Sequence, residues 1–233
     1  MIESLPFYVT VVFVLTTLLT IGFLFRSFRD VRPHGFASGL LTFLVPFWMI
    51  MTALLAMSGF YQQFQFTPPR VATFGILPAV LLIAVYFVCF RSGFIDRLSL
   101  KVLTMLHIVR IPVELVLLGL FQNGSIPQTM TFEGRNFDIL SGLTAPLIYW
   151  LAFRGGSVNR TLLIIWNVLA LGLLANIVIT AILSFPSPMQ QIAFDRPNVG
   201  VTYFPFIWLP AIIVPIVLFA HAASLWKLTF DRV

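Results

Sequence analysis

Seven long apolar runs, separated by short polar segments, constrain this chain more than any other feature of its sequence. A run of about 20 apolar residues is long enough to cross the ~30 Å hydrocarbon core of a bilayer as an α-helix. The runs cover residues 6–25, 36–61, 74–90, 102–121, 137–153, 161–185 and 203–226. They are apolar on all sides rather than alternating, which excludes a transmembrane β-barrel. The sequence therefore predicts an all-α integral membrane bundle of seven transmembrane helices.

Composition supports this class and excludes a soluble globular domain. Hydrophobic residues make up 59% of the chain and charged residues only 9%, whereas an ordinary soluble domain carries about 25% charged residues. No internal repeat, low-complexity tract or linker interrupts the runs, so we expect a single domain over residues 1–233. The net charge of +6 would favour a nucleic-acid partner in a soluble protein. Because the basic residues here lie beside apolar runs, we expect the lipid bilayer as partner and no nucleic acid.

The basic residues are distributed unevenly between the two ends of the predicted bundle. Those that follow the odd-numbered runs are Arg26, Arg29, Arg32, Arg91, Arg97, Lys101, Arg154, Arg160, Lys227 and Arg232. Only Arg70, Arg135 and Arg196 lie in the loops of the opposite side. Cytoplasmic loops carry the excess of lysine and arginine. The pattern therefore predicts an extracellular N-terminus and a cytoplasmic C-terminus.

The fourth run contains three ionisable residues, His107, Arg110 and Glu114, which share one face of a helix. A charge at the centre of a bilayer costs at least ~2.5 to 3.5 kcal/mol. We therefore expect Arg110 and Glu114 to face the bundle interior and to be paired, most simply with each other. Two interpretations stay open: a buried ion pair that fixes helix packing, and a site for a ligand, a substrate or a proton.

Polar residues near the predicted outer ends of the fifth and sixth runs extend this candidate site. Asn136 is expected to cap the fifth helix and Asp138 to interact with its dipole from the first turn. Tyr149 follows on the same face as Asp138. Glu114 and Asn176 both lie roughly 10 to 14 Å below the outer surface. This shared depth predicts a polar pocket that opens outward between the fourth, fifth and sixth helices.

Two pairs of opposite charges occupy the outer loops. Glu133 and Arg135 precede the fifth run, and Asp195 and Arg196 precede the seventh. They predict either a lid held by ion pairs or a recognition site for a zwitterionic or anionic solute.

Two histidines raise the question of a metal or haem site. His107 and His221 each lie about 9 Å from the predicted inner end of their run, at similar depth. Equal depth would suit two axial ligands of a haem. However, no ligand spacing typical of a metal site accompanies them, and Cys89 is the only cysteine. We therefore expect no metal ion and no cofactor.

Signatures of several enzyme and transporter classes are missing from the sequence. No Walker loop and no G-x-S-x-G motif occurs. The seventh run also lacks the lysine in mid-membrane that would bind retinal. The sequence thus assigns no catalytic residue and leans away from an enzyme.

Two strings carry a resemblance to known proteins. Residues 130–146, MTFEGRNFDILSGLTAP, and residues 203–210, YFPFIWLP, resemble segments of small uncharacterised bacterial polytopic membrane proteins. The resemblance covers most of the chain from His107 onward. It implies a multi-pass location in a bacterial inner membrane and brings no activity or functional residue with it.

Three functions follow as hypotheses. The first is the binding or transport of a small polar solute or proton through the outward-facing pocket. The second is a non-catalytic subunit or assembly factor that packs against a membrane protein partner or a second copy of the chain. The third is an intramembrane enzyme or redox subunit. A water-filled cavity at Glu114 would favour the first of these.

The predicted orientation can be tested with single cysteines in a Cys89→Ala background. In intact cells, an impermeant thiol reagent should label Ser187→Cys, which lies in a predicted outer loop, and should spare Ser157→Cys in a predicted inner loop. The reverse labelling pattern would invert the orientation.

Overall fold

The protein is all-helical, as the apolar runs predict. The computed structural model describes residues 2, 5–29, 35–91 and 93–230, and these contain helices and turns but no strand. The helices are α1 (Phe7–Ser27), α2 (Phe36–Met57), α3 (Ala72–Cys89), α4 (Leu100–Gln122), α5 (Ile139–Phe153), α6 (Arg160–Leu183) and α7 (Leu209–Phe230). All except α5 are long and apolar enough to cross a bilayer, and α5 is a shorter apolar helix. The chain is thus a multi-pass membrane protein with six to seven candidate spans.

Most helix boundaries differ from the apolar runs by a few residues, and two of the differences have a clear physical cause. The run to residue 61 overestimates α2, which ends at Met57 because Gly59 adopts a left-handed conformation, with φ of 78°, that stops the helix. The run from residue 203 begins before α7, which starts at Leu209. Pro210 is the second residue of this helix, a position where the missing proline N–H costs no hydrogen bond. A hydrophobicity profile alone shows neither the left-handed conformation of Gly59 nor the preference of Pro210 for the first turn of a helix.

Two helices form the interior of the bundle. In their most apolar stretches, 61% of the residues of α4 and of α7 are buried, compared with 11% for α3. Helix α4 packs against α1, α5 and α7, and α7 also contacts α2, α3 and α6. Polar residues of α4 and α7 are therefore shielded from lipid by the surrounding helices.

Helix α5 begins in the middle of the bundle rather than at its end. Its Gly142 lies directly against α4, where an added Cβ would be 2.8 Å from Ile111 Cγ1 and 3.3 Å from Arg110 Cβ. Arg110 is about 18 Å along α4 from its end at Gln122. Residues 123–138 must therefore descend from the end of α4 to mid-bundle, and we call them the re-entrant segment. Such non-helical backbone is tolerated at membrane depth only where protein covers it.

The re-entrant segment is itself tightly folded and covered. A Cβ on Gly134 would lie 2.2 Å from the carbonyl oxygen of Gln128, so only glycine fits where the segment folds back on itself. The connection between α6 and α7 lies over it, with the backbone N–H groups of Val199 and Gly200 both donating to the carbonyl of Ser125, at 3.2 and 2.7 Å. These two connections together close one end of the bundle.

This closed end is also the end at which α1 begins, and we call it the predicted outer end. Its extracellular location stays a prediction from the charge pattern. Arg32 and Arg232, two of the residues that contribute to that pattern, lie outside the described residues.

The close approach of α5 to α4 can be tested with two alanine substitutions. Gly142→Ala should lower the free energy of unfolding by about 1–3 kcal/mol, because the new methyl group overlaps Ile111. Gly172→Ala in α6 is the matched control, since no heavy atom lies within 4 Å of its added Cβ. Denaturant unfolding in detergent micelles measures both, and equal stability of the two variants would contradict the observed packing.

Candidate functional site

A cluster of polar side chains is buried at the middle of the bundle. Its members are His107, Arg110 and Glu114 of α4, Asn136 and Asp138 at the end of the re-entrant segment, Asn167 of α6 and His221 of α7. Each is buried, with exposed fractions from 0% to 5%. We call this set the midplane cluster, because Arg110 lies about 15 Å from the start of α4 and about 18 Å from its end.

Arg110 connects three parts of the bundle. Its Nη1 lies 3.0 Å from Oδ1 of Asp138 and donates to the carbonyl oxygen of Ala170 at 3.2 Å. Its Nη2 is 3.1 Å from Nε2 of His221. The predicted pairing of Arg110 with Glu114 is therefore wrong. Helical side chains lean toward the N-terminus of their helix, which directs Arg110 away from Glu114.

Glu114 is held by the re-entrant segment instead. Its Oε1 accepts a hydrogen bond of 2.6 Å from Nδ2 of Asn136, which also donates to the carbonyl of Met130. The Oδ1 atom of Asn136 accepts from the backbone N–H of Asp138 at 3.1 Å. Asn136 thus stabilises the turn before α5 and does not cap the helix as expected. Asp138 is the residue before the first turn, and its carboxylate faces Arg110 rather than the helix N–H groups.

The hydrogen bonds of His221 define its protonation. A guanidinium group has donors only, so Nε2 of His221 must accept from Arg110. The proton of the neutral ring then lies on Nδ1, which donates to Oδ1 of Asn167 at 2.9 Å. Nδ2 of Asn167 donates in turn to the carbonyl of Leu163. This chain of contacts holds His221 as one neutral tautomer.

His107 lies at the same depth as His221, as their positions in the sequence predict. The two rings stack with centroids 4.0 Å apart and planes inclined by 24°, and Trp166 meets His107 edge-on at 5.2 Å. Both ring nitrogens of His107 are buried and have no hydrogen-bond partner among the residues described. Stacked rings do not direct their lone pairs at a common metal ion. In the described part of the chain, no group of three or more His, Cys, Asp and Glu side chains has metal-binding geometry.

Four other candidate residues lie away from the midplane cluster. Asn176 is exposed and donates to the carbonyl of Arg135 at 2.8 Å, so it holds the residue next to Asn136. Glu133 and Arg135 have exposed side chains. Tyr149 is half-buried against Phe153, toward the far end of α5.

The charged residues of the other outer loop are also exposed. Arg196 donates to the carbonyl of Phe121 at 3.3 Å, and its guanidinium lies 5.1 Å from the centre of that ring. Within the described ranges, no ion pair joins Asp195 or Arg196 to Glu133 or Arg135. The two loops are joined by backbone hydrogen bonds instead of the ion pairs of the lid hypothesis.

Sequence reasoning missed the role of Asn167. This residue lies on the face of α6 opposite to Asn176, and only the latter entered the candidate site. The usable signal was depth, since Asn167 is about 10 Å along α6 from Arg160 and therefore close to the level of His107 and His221.

The importance of Arg110 for stability can be compared with that of its partner. Arg110→Met should cost about 3–5 kcal/mol of unfolding free energy, because it leaves the carboxylates of Asp138 and Glu114 buried without a cation. Asp138→Asn keeps the other contacts of Arg110 and should cost less, about 1–3 kcal/mol. Unfolding in detergent, with the exposed Asp195→Asn as control, measures the difference. Equal losses for the two variants would contradict the central role of Arg110.

Comparison with known proteins places this cluster in a defined family. No curated protein and no solved structure gives a significant match. The family model described as Domain of unknown function (DUF8737) matches residues 68–229. That range includes every residue of the midplane cluster and agrees with the resemblance to uncharacterised membrane proteins. Because the match covers more than half of the chain, the protein belongs to the DUF8737 family.

Proposed function

We propose that the protein binds protons at the midplane cluster and transfers them across the membrane. In this proposal it does so in a bacterial inner membrane, with its N-terminus outside. The observation that carries the proposal is the burial of four residues able to exchange protons, His107, Glu114, Asp138 and His221, around one arginine. Ionisable residues within a membrane are costly and are candidates for proton relays by default.

The charges of the cluster favour the uptake of a proton. Arg110 supplies one positive charge, whereas Glu114 and Asp138 together supply two negative charges when both are ionised. With both histidines neutral, the ionised cluster carries one net negative charge in a buried environment, which is unfavourable. One proton shared by the carboxylates makes the cluster neutral. Oε2 of Glu114 is a suitable position, since it is buried and has no hydrogen-bond partner among the described residues.

The closed geometry favours a proton over a larger solute. The cluster members are buried, and the re-entrant segment and the connection between α6 and α7 lie between them and the predicted outer surface. A small polar solute would have to displace this cover to reach Arg110. A proton needs only short hydrogen-bonded steps between neighbouring groups.

Polar groups extend from the cluster toward both ends of the bundle. On the predicted outer side, Glu114 accepts a hydrogen bond from Asn136. The residue before Asn136 in the chain, Arg135, has an exposed side chain. On the predicted inner side, Ser224 follows His221 by one turn of α7 and is buried, with no hydrogen-bond partner for its hydroxyl in the described ranges. Lys227 follows one turn later and donates to the carbonyl of Asp96. Together with the midplane cluster, these polar groups support a proton route that crosses the interior of the bundle.

The short length of α5, with its start in mid-bundle, supports a binding site at the same level. In transporters, discontinuous helices with ends near the midplane commonly form the site for a substrate or coupling ion. Here the N-terminal end of α5, at Asp138, meets Arg110. The broader hypothesis of a polar solute would use these same residues, with movement of the re-entrant segment to admit it.

Proton transfer can be measured in liposomes that contain the purified protein and a trapped pH-sensitive dye. With a potassium diffusion potential as driving force, wild-type protein should acidify or alkalinise the lumen faster than protein-free liposomes do. Glu114→Gln should reduce this rate by about tenfold or more, because the amide cannot exchange a proton. Glu133→Gln removes an exposed carboxylate outside the cluster and should leave the rate unchanged.

Two results would overturn the proposal. One is a wild-type rate equal to that of protein-free liposomes at every driving force. The other is an undiminished rate in Glu114→Gln, provided that its unfolding transition shows it to be folded. A rate that rises only when a polar solute is added would favour solute transport at this site.

A further inference from the structure

We infer that Asp96 exchanges protons between the polar groups of α7 and the water at the predicted inner surface. The inference rests on the proposed proton transfer and names the residue at its inner mouth. Asp96 lies in the loop between α3 and α4, outside every apolar run of the sequence. Its role therefore depends on what the folded chain places beside it.

The loop that carries Asp96 is fixed against the bundle. Its apolar residues Ile95 and Leu98 are buried, with exposed fractions of 0% and 2%. The backbone N–H of Ser99 donates to the carbonyl of Ser27, at the end of α1, at 3.0 Å. Asp96 therefore has a defined position at the predicted inner end, in contrast to a carboxylate on a free surface loop.

Two residues in the last turns of α7 contact Asp96. Nε1 of Trp226 donates to Oδ1 of Asp96 at 3.0 Å. Nζ of the buried Lys227 donates to the backbone carbonyl of Asp96. The side chain of Asp96 is half-buried, so its carboxylate is accessible to water while it is bound to α7.

Helix α7 carries polar side chains from the midplane cluster down to this loop. His221, Ser224 and Lys227 follow one another at intervals of three residues, on one side of the helix and over a rise of about 9 Å. The hydroxyl of Ser224 is buried and has no hydrogen-bond partner in the described part of the chain. A hydroxyl both donates and accepts hydrogen bonds, so it can pass a proton in either direction. The inner end of this series is the contact of α7 with Asp96.

Asp96 is the only carboxylate at the predicted inner end among the described residues. The other described carboxylates lie in the midplane cluster or in the predicted outer loops, and they are Glu114, Glu133, Asp138 and Asp195. The basic neighbours of Asp96 in its own loop, Arg91 and Arg97, are exposed and keep their protons, because a guanidinium is not deprotonated in proteins. Within the described ranges, neither of them forms an ion pair with the carboxylate.

A carboxylate in this position can take part in proton transfer in both directions. It accepts one proton from the polar groups of α7 or from water, and it then releases that proton to the other side. The residue is ionised again at the end of each transfer, so no further reactant is needed.

The liposome assay for proton transfer tests this inference with the variant Asp96→Asn. The amide keeps an oxygen that accepts from Trp226 but cannot exchange a proton, so the rate should fall by about tenfold. Trp226→Phe is the matched control, because it removes the hydrogen bond and keeps the carboxylate, and its rate should stay near that of wild type. Asp96→Glu keeps an acid at this position and should retain most of the rate.

A small buffer separates lost proton exchange from lost structure. Imidazole at high concentration carries protons to and from the protein surface, so it should restore the rate of Asp96→Asn. It should leave the rate of Glu114→Gln low, because that position is buried, with an exposed fraction of 1%. Should Asp96→Asn fail to fold, Asp96→Gln is a second variant that cannot exchange a proton, and the same results are expected of it.

The outcomes that would overturn this inference differ from those that would overturn the proposed function. An undiminished rate in Asp96→Asn would exclude Asp96 from the route and would not affect proton transfer itself. Equal losses in Asp96→Asn and Trp226→Phe, or a loss that imidazole does not relieve, would show a structural role and also overturn the inference. A wild-type rate equal to that of protein-free liposomes would overturn the proposed function and this inference together.

Discussion

The burial of one guanidinium group at the middle of the membrane governs the architecture of this protein. Arg110 exposes only 2% of its surface and cannot give up its charge, so its donors need acceptors from other parts of the bundle. The carbonyl of Ala170 and Nε2 of His221 lie within hydrogen-bond distance of it, and Asp138 forms an ion pair with it. These contacts attach α5, α6 and α7 to α4. The position of the re-entrant segment follows, because Asp138 reaches Arg110 only if the preceding residues enter the bundle.

The sequence was sufficient to predict the helical class and the approximate position of every helix, because long apolar runs have few structural solutions in a bilayer. It also identified Arg110, Glu114, Asn136 and Asp138, since polar groups among apolar neighbours are conspicuous. It did not identify which of them pair. Pairing depends on how each helix is rotated about its axis relative to its neighbours and on where a loop re-enters the bundle. A helical wheel of a single run gives neither of these. The contact of His221 with both Arg110 and Asn167 depends on three helices at once.

Covering the midplane cluster requires close backbone packing at two glycines. Gly142 lets α5 approach α4, and Gly134 lets the re-entrant segment fold on itself. The MTFEGRNFDILSGLTAP string contains both glycines together with Asn136 and Asp138. The string that carries the family resemblance thus builds part of the cover and supplies two of the seven residues of the midplane cluster. The family match to residues 68–229 includes this string and the helices that receive it.

The shortness of α5 affects how the chain enters the membrane during synthesis. A helix of 15 residues rises only about 22 Å and begins next to a charged Asp138, so it is a poor independent substrate for the insertion machinery. Its partner Arg110 emerges earlier, within α4. Stable placement of α5 therefore depends on α4 being available when α5 leaves the ribosome. Insertion of the second half of this protein is expected to be a cooperative event rather than a series of separate helices.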